Sequence, residues 1–147
     1  IVASLVGSEM CIRDSIKCDD LNYKVYVEDT DFQGFVYHAN YVKYFERSRS
    51  EFLSKNGILH KKLIKADTAF VIKRIELYYK SPAELGDEII VKSSVEKKSD
   101  ARMIFYQKVI NKKDSKECVN GEVEVCFINL ITKKPQKFPN DLLLIFR

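Results

Sequence analysis

The strongest constraint on this chain is a switch of hydrophobic period partway along it. One long stretch ending near residue 56 repeats at helical spacing, whereas from residue 69 onward four runs alternate strictly and are joined by short turns. In the helical stretch, Tyr41, Tyr44, Phe45, Ser48 and Phe52 fall on one face, with Lys43, Glu46, Arg47, Ser50 and Lys55 mainly on the others. Glu51 and Lys55 stand at favourable i,i+4 spacing, and Asn56-Gly57 supplies a stop. Counted from His38, this helix runs for about 17 residues, roughly 25 Å, enough to cross a sheet. The alternating runs cover residues 69–79, 88–96, 102–109 and 119–127. A fifth, residues 21–28, precedes the helix, and a short helix or turn is expected near residues 139–146. Short turns join antiparallel neighbours. One helix and five such strands share a core only if the sheet wraps the helix. The expected fold is therefore α+β, a five-stranded antiparallel sheet wrapped around one long helix.

At 147 residues the chain fits a single domain and needs neither disulfide nor metal to hold a core. Residues 16–147 are assigned to it. Residues 1–15 are read as a non-native or disordered extension, because Ser4 to Ser15 reads SLVGSEMCIRDS, like translated sequencing-adapter read-through. A hydrophobic share of 46% against 31% charged residues argues against disorder. No apolar run approaches the ~18 residues of a transmembrane helix. The net charge of +4 is mild, and the lysine pairs at strand ends read as solvated surface. No basic stripe interleaves with stacking aromatics, so no nucleic-acid partner is expected. Cys11, Cys18, Cys118 and Cys126 form no C-x-x-C pair, and His38 and His60 complete no zinc pattern. No metal is expected, and the unpaired thiols suit a reducing, cytoplasmic location. His60 is read as a surface loop residue, and Cys118 and Cys126 have no base at motif spacing.

Chemistry concentrates in the segment from Glu28 to Tyr41. Three acids, Glu28, Asp29 and Asp31, precede a loop containing Gly34, and the loop runs into the helix start at His38. A helix N-terminus offers unpaired N–H groups and the positive end of a dipole, which polarise a carbonyl and hold a developing oxyanion. A nearby carboxylate can attack that carbonyl or activate water. Gly34 permits the sharp turn and close backbone approach. Spacing alone leaves a second reading open, in which Asp29 or Asp31 caps a turn and His38 caps the helix.

The string EDTDFQGFVYHANYVKYFERSRSEFL resembles the hotdog-fold acyl-CoA thioesterases of the 4-hydroxybenzoyl-CoA thioesterase type, above all the Tol–Pal-associated group. That group has a DTD-x-x-G-x-V-YH-x-x-Y-x-x-YFE-R-x-R signature. The stretch from Tyr79 to Asp87 is similar to the family's turn between strands two and three. The resemblance spans residues 20–135 and departs from the pattern at Gln33 and Phe35, where pocket shape is affected. It implies a hotdog fold, a homodimer or homotetramer with sites at the interface, and hydrolysis of acyl-CoA to free acid and coenzyme A. No cofactor is implied, since coenzyme A is part of the substrate. It puts the catalytic carboxylate at Asp31, as nucleophile or general base. It puts His38 at the helix N-terminus, its backbone N–H aimed at the thioester carbonyl and its side chain also implicated. Gly34, Tyr37 and Tyr41 are assigned to substrate binding. Glu46 and Arg47 belong to the motif and read as an ion pair within the dimer. Two rival readings stay open, a hotdog dehydratase and a non-catalytic acyl-binding module of helix-grip type.

Overall fold

A computed structural model describes residues 15–146, so the expectation for the N-terminal extension lies, Ser15 apart, outside the described residues. The strands are β1 (Ser15–Lys17), β2 (Leu21–Lys24), β3 (Thr68–Tyr79), β4 (Glu88–Lys97), β5 (Arg102–Asn111) and β6 (Glu117–Asn129). The helices are α1 (Asn40–Lys55), α2 (His60–Lys65) and α3 (Asn140–Ile145). All pairings are antiparallel. The sheet order is β1-β4-β5-β6-β3, with β2 also on β4, so β1 and β2 lie end to end along one edge. The five expected strands are present as β2 to β6, and β1, ahead of the expected first strand, adds a sixth along the same edge.

The first strand stops at Lys24, not at residue 28. Val25 is buried, but Val27 is 74% exposed, and Val27–Asp29 forms a turn of 3-10 helix. The physical reason is Asp29, whose Oδ2 accepts the Tyr26 N–H at 2.9 Å while its own N–H donates to Tyr26 O. An acid reaching back across three residues closes a turn where alternation alone would continue a strand. Lys55 likewise pairs with Asp19 at 2.7 Å in place of Glu51. His60 is exposed as expected, but begins α2 rather than lying in a loop.

α1 crosses the concave face over β4 and β5 with Tyr41, Tyr44, Phe45, Ser48 and Phe52 buried, as their spacing required. Two apolar clusters result. One gathers Tyr41, Tyr44, Phe45, Ile89, Val91 and Val109 under the N-terminal half of the helix. The other gathers Phe52, Leu53, Val95, Met103 and Phe105 under the C-terminal half and is closed by Phe138 and Leu142. Between them lies a buried polar group. Ser48 Oγ meets Ser93 Oγ at 2.7 Å, Gln107 Nε2 donates to Ser93 Oγ and Phe45 O, and Arg49 Nη1 donates to Gln107 Oε1 at 3.0 Å.

β3 pairs with β6 alone and is the other edge of the sheet. Its alternation is broken by a bulge at Lys73, so Ile72 faces Val125 and Ile75 faces Val123. Ile72 and Ile75 therefore share one face of β3, whereas uninterrupted alternation would set them on opposite faces. Both are exposed, at 47% and 40%.

Candidate active site

Two bridges, Thr30 with Val36 and Phe35 with Glu84, fold the segment before α1 into a tight hairpin held against the β3–β4 turn. Asp31 stands at the start of its tip. Its N–H donates to Phe35 O at 2.8 Å, and the Gly34 N–H donates to Asp31 O at 3.0 Å. Gly34 takes φ 85°, a conformation that a residue with a Cβ adopts only under strain. The Asp31 carboxylate is half-buried, and its Oδ1 accepts the N–H groups of Gln33 at 2.9 Å and Phe35 at 3.3 Å. Its Oδ2 has no hydrogen-bond partner among the described residues. One oxygen is thus fixed by the turn, while the other is available to attack a carbonyl or take a proton from water.

Asp29 braces the base of the hairpin. Its backbone carbonyl accepts both the Tyr37 N–H at 2.9 Å and Asn40 Nδ2 at 2.7 Å. α1 begins at Asn40, two residues later than the sequence suggests, with Ala39 as N-cap and no side-chain cap. His38 therefore caps nothing. The Asn40 N–H closes onto Tyr37 O at 2.8 Å, while the N–H groups of His38 and Ala39 donate to no group among the described residues.

Around this helix start the structure gathers Tyr37, His38 and Tyr41. The exposed His38 ring lies 4.4 Å from that of Tyr37. Tyr79, the last residue of β3, meets His38 edge-on at 6.4 Å and Tyr41 at 6.0 Å. Tyr41 is buried and its hydroxyl accepts the Ala83 N–H at 3.2 Å. Burial pushes its phenol up to about 12. Its ring packs against Tyr44 and Tyr79, so the structure places this expected binding residue in the core, where burial leaves it almost no surface for a ligand. Gly34 stays with Asp31 on the hairpin, and no hydrogen bond or ring contact joins Asp31 to His38. Nothing in the sequence pattern assigns Tyr79 a role. Its one signal was position, at the end of a strand directly before the Lys80-Ser81-Pro82 turn.

Farther along α1 the charged motif residues separate. Arg47 lies over the rings of Tyr23 and Tyr44, at 5.6 and 5.7 Å, and Glu46 accepts the Ser50 hydroxyl, so the two do not pair within the chain. Burial, and then the Asp29 carboxylate, push the Tyr44 phenol well up, and its buried hydroxyl has no partner within hydrogen-bonding distance among the described residues. Glu28, Asp29, Asn40, Lys43, Tyr44 and Arg47 line a polar cavity of about 120 Å³ there. A larger cleft of about 400 Å³ opens between α1 and β3, walled by Val42, Ile72 and Ile75 with Arg49 at its base. Arg49, also unsingled by sequence reading, is 7% exposed, and burial pulls its guanidinium down. An arginine at that helical position looks exposed until Gln107 is brought beneath it.

The family model described as the thioesterase-like superfamily matches residues 25–146. The chain is 30% identical over 125 residues to the acyl-CoA thioester hydrolase YbgC of Escherichia coli O6:H1, covering 84% of this chain and 92% of that protein. It is 32% identical over 124 residues to the acyl-CoA thioesterase YbgC of Haemophilus influenzae, covering 84% of this chain and 90% of that one. Its fold superposes on Slr0204, a 1,4-dihydroxy-2-naphthoyl-CoA thioesterase from Synechocystis, with a TM-score of 0.84 at 18% identity, covering 89% of this chain and 96% of that one. The antiparallel sheet wrapped on α1 is the hotdog fold, and the chain belongs to the thioesterase-like superfamily.

Proposed function

We propose that this chain hydrolyses an acyl-CoA thioester, with Asp31 supplying the carboxylate and the N–H groups ahead of α1 polarising the thioester carbonyl. The observation that carries this reading is the Asp31 carboxylate itself, one oxygen held by Gln33 and Phe35 and the other free, on the hairpin that leads into an uncapped helix start. Negative charge on the carbonyl oxygen is stabilised by N–H groups already in place, without reorganisation at the moment of reaction. Attack of Asp31, or of a water it deprotonates, on the carbonyl carbon breaks the C–S bond. The sulfur leaves as coenzyme A thiolate, and water supplies the acid's second oxygen. The relatives that carry this activity in their names, similar over most of both chains, support the substrate class.

The working unit in this reading is a homodimer, or a tetramer built from two. The bare edge of β3 and the exposed Ile72 and Ile75 support a second copy there, where it would close the cleft over α1. Gly34 admits the thioester close to the hairpin backbone, the exposed Tyr37 presents ring surface to the acyl group, and the buried Tyr41 backs that surface from within the core. The free thiols of Cys18, Cys118 and Cys126 support a cytoplasmic setting. Among the described residues no helix is long and apolar enough to cross a membrane.

The test is thiol release from a panel of acyl-CoAs, followed with a thiol-reactive dye. Asp31→Asn keeps the size and most of the turn's hydrogen bonding, so kcat should fall at least about a hundredfold with KM little changed. Near wild-type turnover by that variant would remove Asp31 from the mechanism. Absence of thiol release by the unaltered protein with every acyl-CoA would overturn the function.

A further inference from the structure

We infer that Tyr79 is a positioning residue for the hydrolysis proposed above, acting through the backbone at His38. Its hydroxyl donates to the His38 carbonyl at 3.0 Å, from the last residue of a strand that is 41 positions away in sequence. That bond fixes the plane of the peptide between His38 and Ala39. In a trans peptide the C=O and N–H point in opposite directions, so pinning the His38 carbonyl toward β3 turns the Ala39 N–H away from it. The preceding peptide is pinned in the same manner from the other side, because Tyr37 O accepts the Asn40 N–H at 2.8 Å and so orients the His38 N–H. Both carbonyls flanking His38 are occupied, and both N–H groups that they orient are without acceptors among the described residues.

A segment just outside a helix has no ladder to hold it. His38 and Ala39 precede α1, and no side chain caps it. The turn closed by the Asn40 N–H on Tyr37 O ties the Tyr37–His38 peptide, but the polar groups of the His38–Ala39 peptide have, among the described residues, Tyr79 as their one partner. The Tyr79 ring also stands edge-on to His38 and Tyr41, which limits the imidazole's freedom. The phenol thus helps to set the direction of the donor pair ahead of an uncapped helix start.

The consequence is specific to the transition state. The oxyanion needs the donors aligned more than the ground-state carbonyl does, so loss of the hydroxyl lowers kcat and leaves KM. Losing a single oxyanion donor outright is worth about 10²–10³-fold in kcat. Tyr79 is half exposed and water can replace its bond in part, so about a tenfold fall is expected for Tyr79→Phe.

The experiment pairs kinetics with a readout that needs no turnover. In ¹⁵N-labelled protein, Tyr79→Phe should move and broaden the Ala39 amide resonance while Tm stays within about 2 °C, since the ring is kept. Turnover of an acyl-CoA should show kcat about tenfold lower with KM within about twofold. An unmoved Ala39 resonance would overturn the inference, as would an unchanged kcat or a loss expressed equally in KM and Tm. If the unaltered protein releases no thiol at all, the hydrolase reading falls, and the Ala39 resonance still decides whether Tyr79 orients that peptide.

Discussion

Gln107 joins the helix to the sheet at the point where the core turns polar, and replacing it by leucine probes that joint. The side chain is 2% exposed and makes three bonds: Oε1 accepts Arg49 Nη1 at 3.0 Å, while Nε2 donates to Phe45 O at 3.0 Å and Ser93 Oγ at 2.9 Å. Arg49 has no carboxylate within ion-pairing distance among the described residues, so Gln107 is the acceptor that answers its buried charge. A hydrogen bond to a charged group is worth about 1.5–3 kcal/mol, and the two neutral bonds add about 1 kcal/mol because Ser93 keeps Ser48. Leucine's extra apolar surface offsets about 1 kcal/mol of this. Gln107→Leu should therefore cost about 1.5–3 kcal/mol, or about 4–12 °C in Tm for a domain of this size. Denaturant titration of Gln107→Leu, Arg49→Met and the double variant isolates the cause. Arg49→Met removes the buried charge, so the double variant should be more stable than the sum of the singles by at least about 1.5 kcal/mol. Additive losses to within about 0.5 kcal/mol, or a single-variant loss below about 0.5 kcal/mol, would refute the account of Gln107 as the partner of Arg49.

Two further outcomes follow from the sheet and its turns. A Cβ at Gly121 would stand 2.3 Å from Glu76 O and 2.5 Å from Leu77 Cδ2. Gly121→Ala must therefore push β3 off β6, lowering stability by about 1–3 kcal/mol by denaturant titration and reducing turnover by displacing Tyr79. Burial alone would raise the Asp87 carboxyl, but the Glu84 N–H, Lys113 and Asn111 outweigh it and hold it below the ordinary carboxylate value of 3.8. A carboxyl depressed in the folded state adds stability above the unfolded value and loses it as pH falls through the folded one. The stability gap between the unaltered protein and Asp87→Asn should accordingly be full at pH 7 and shrink between about pH 5 and pH 2. A gap independent of pH would show that the Asp87 charge contributes nothing.

The elements legible in the sequence were those set by local period and turn chemistry. The buried face of α1 and the four long strands follow from side-chain spacing, because 3.6- and 2-residue repeats bury one face whatever lies across from it, and the stop at Asn56-Gly57 follows from turn chemistry. Spacing leaves Asp29 and Asp31 alike as turn caps, and only the family resemblance points to Asp31 as the carboxylate. What tertiary structure decided were the features that depend on a group distant in sequence or on a short-range competition between backbone partners. Asp29 closed a turn where alternation extended the strand, the bulge at Lys73 moved Ile75 to the face of Ile72, and α1 began only at Asn40. Arg49 reads as one more charged residue on a helix until β5 brings Gln107 beneath it, and Tyr79 reads as an aromatic at a strand end until its hydroxyl meets the His38 carbonyl. Periodicity states which way a side chain faces, but a hydrogen bond between residues 41 or 58 positions apart exists only once the sheet has closed around the helix.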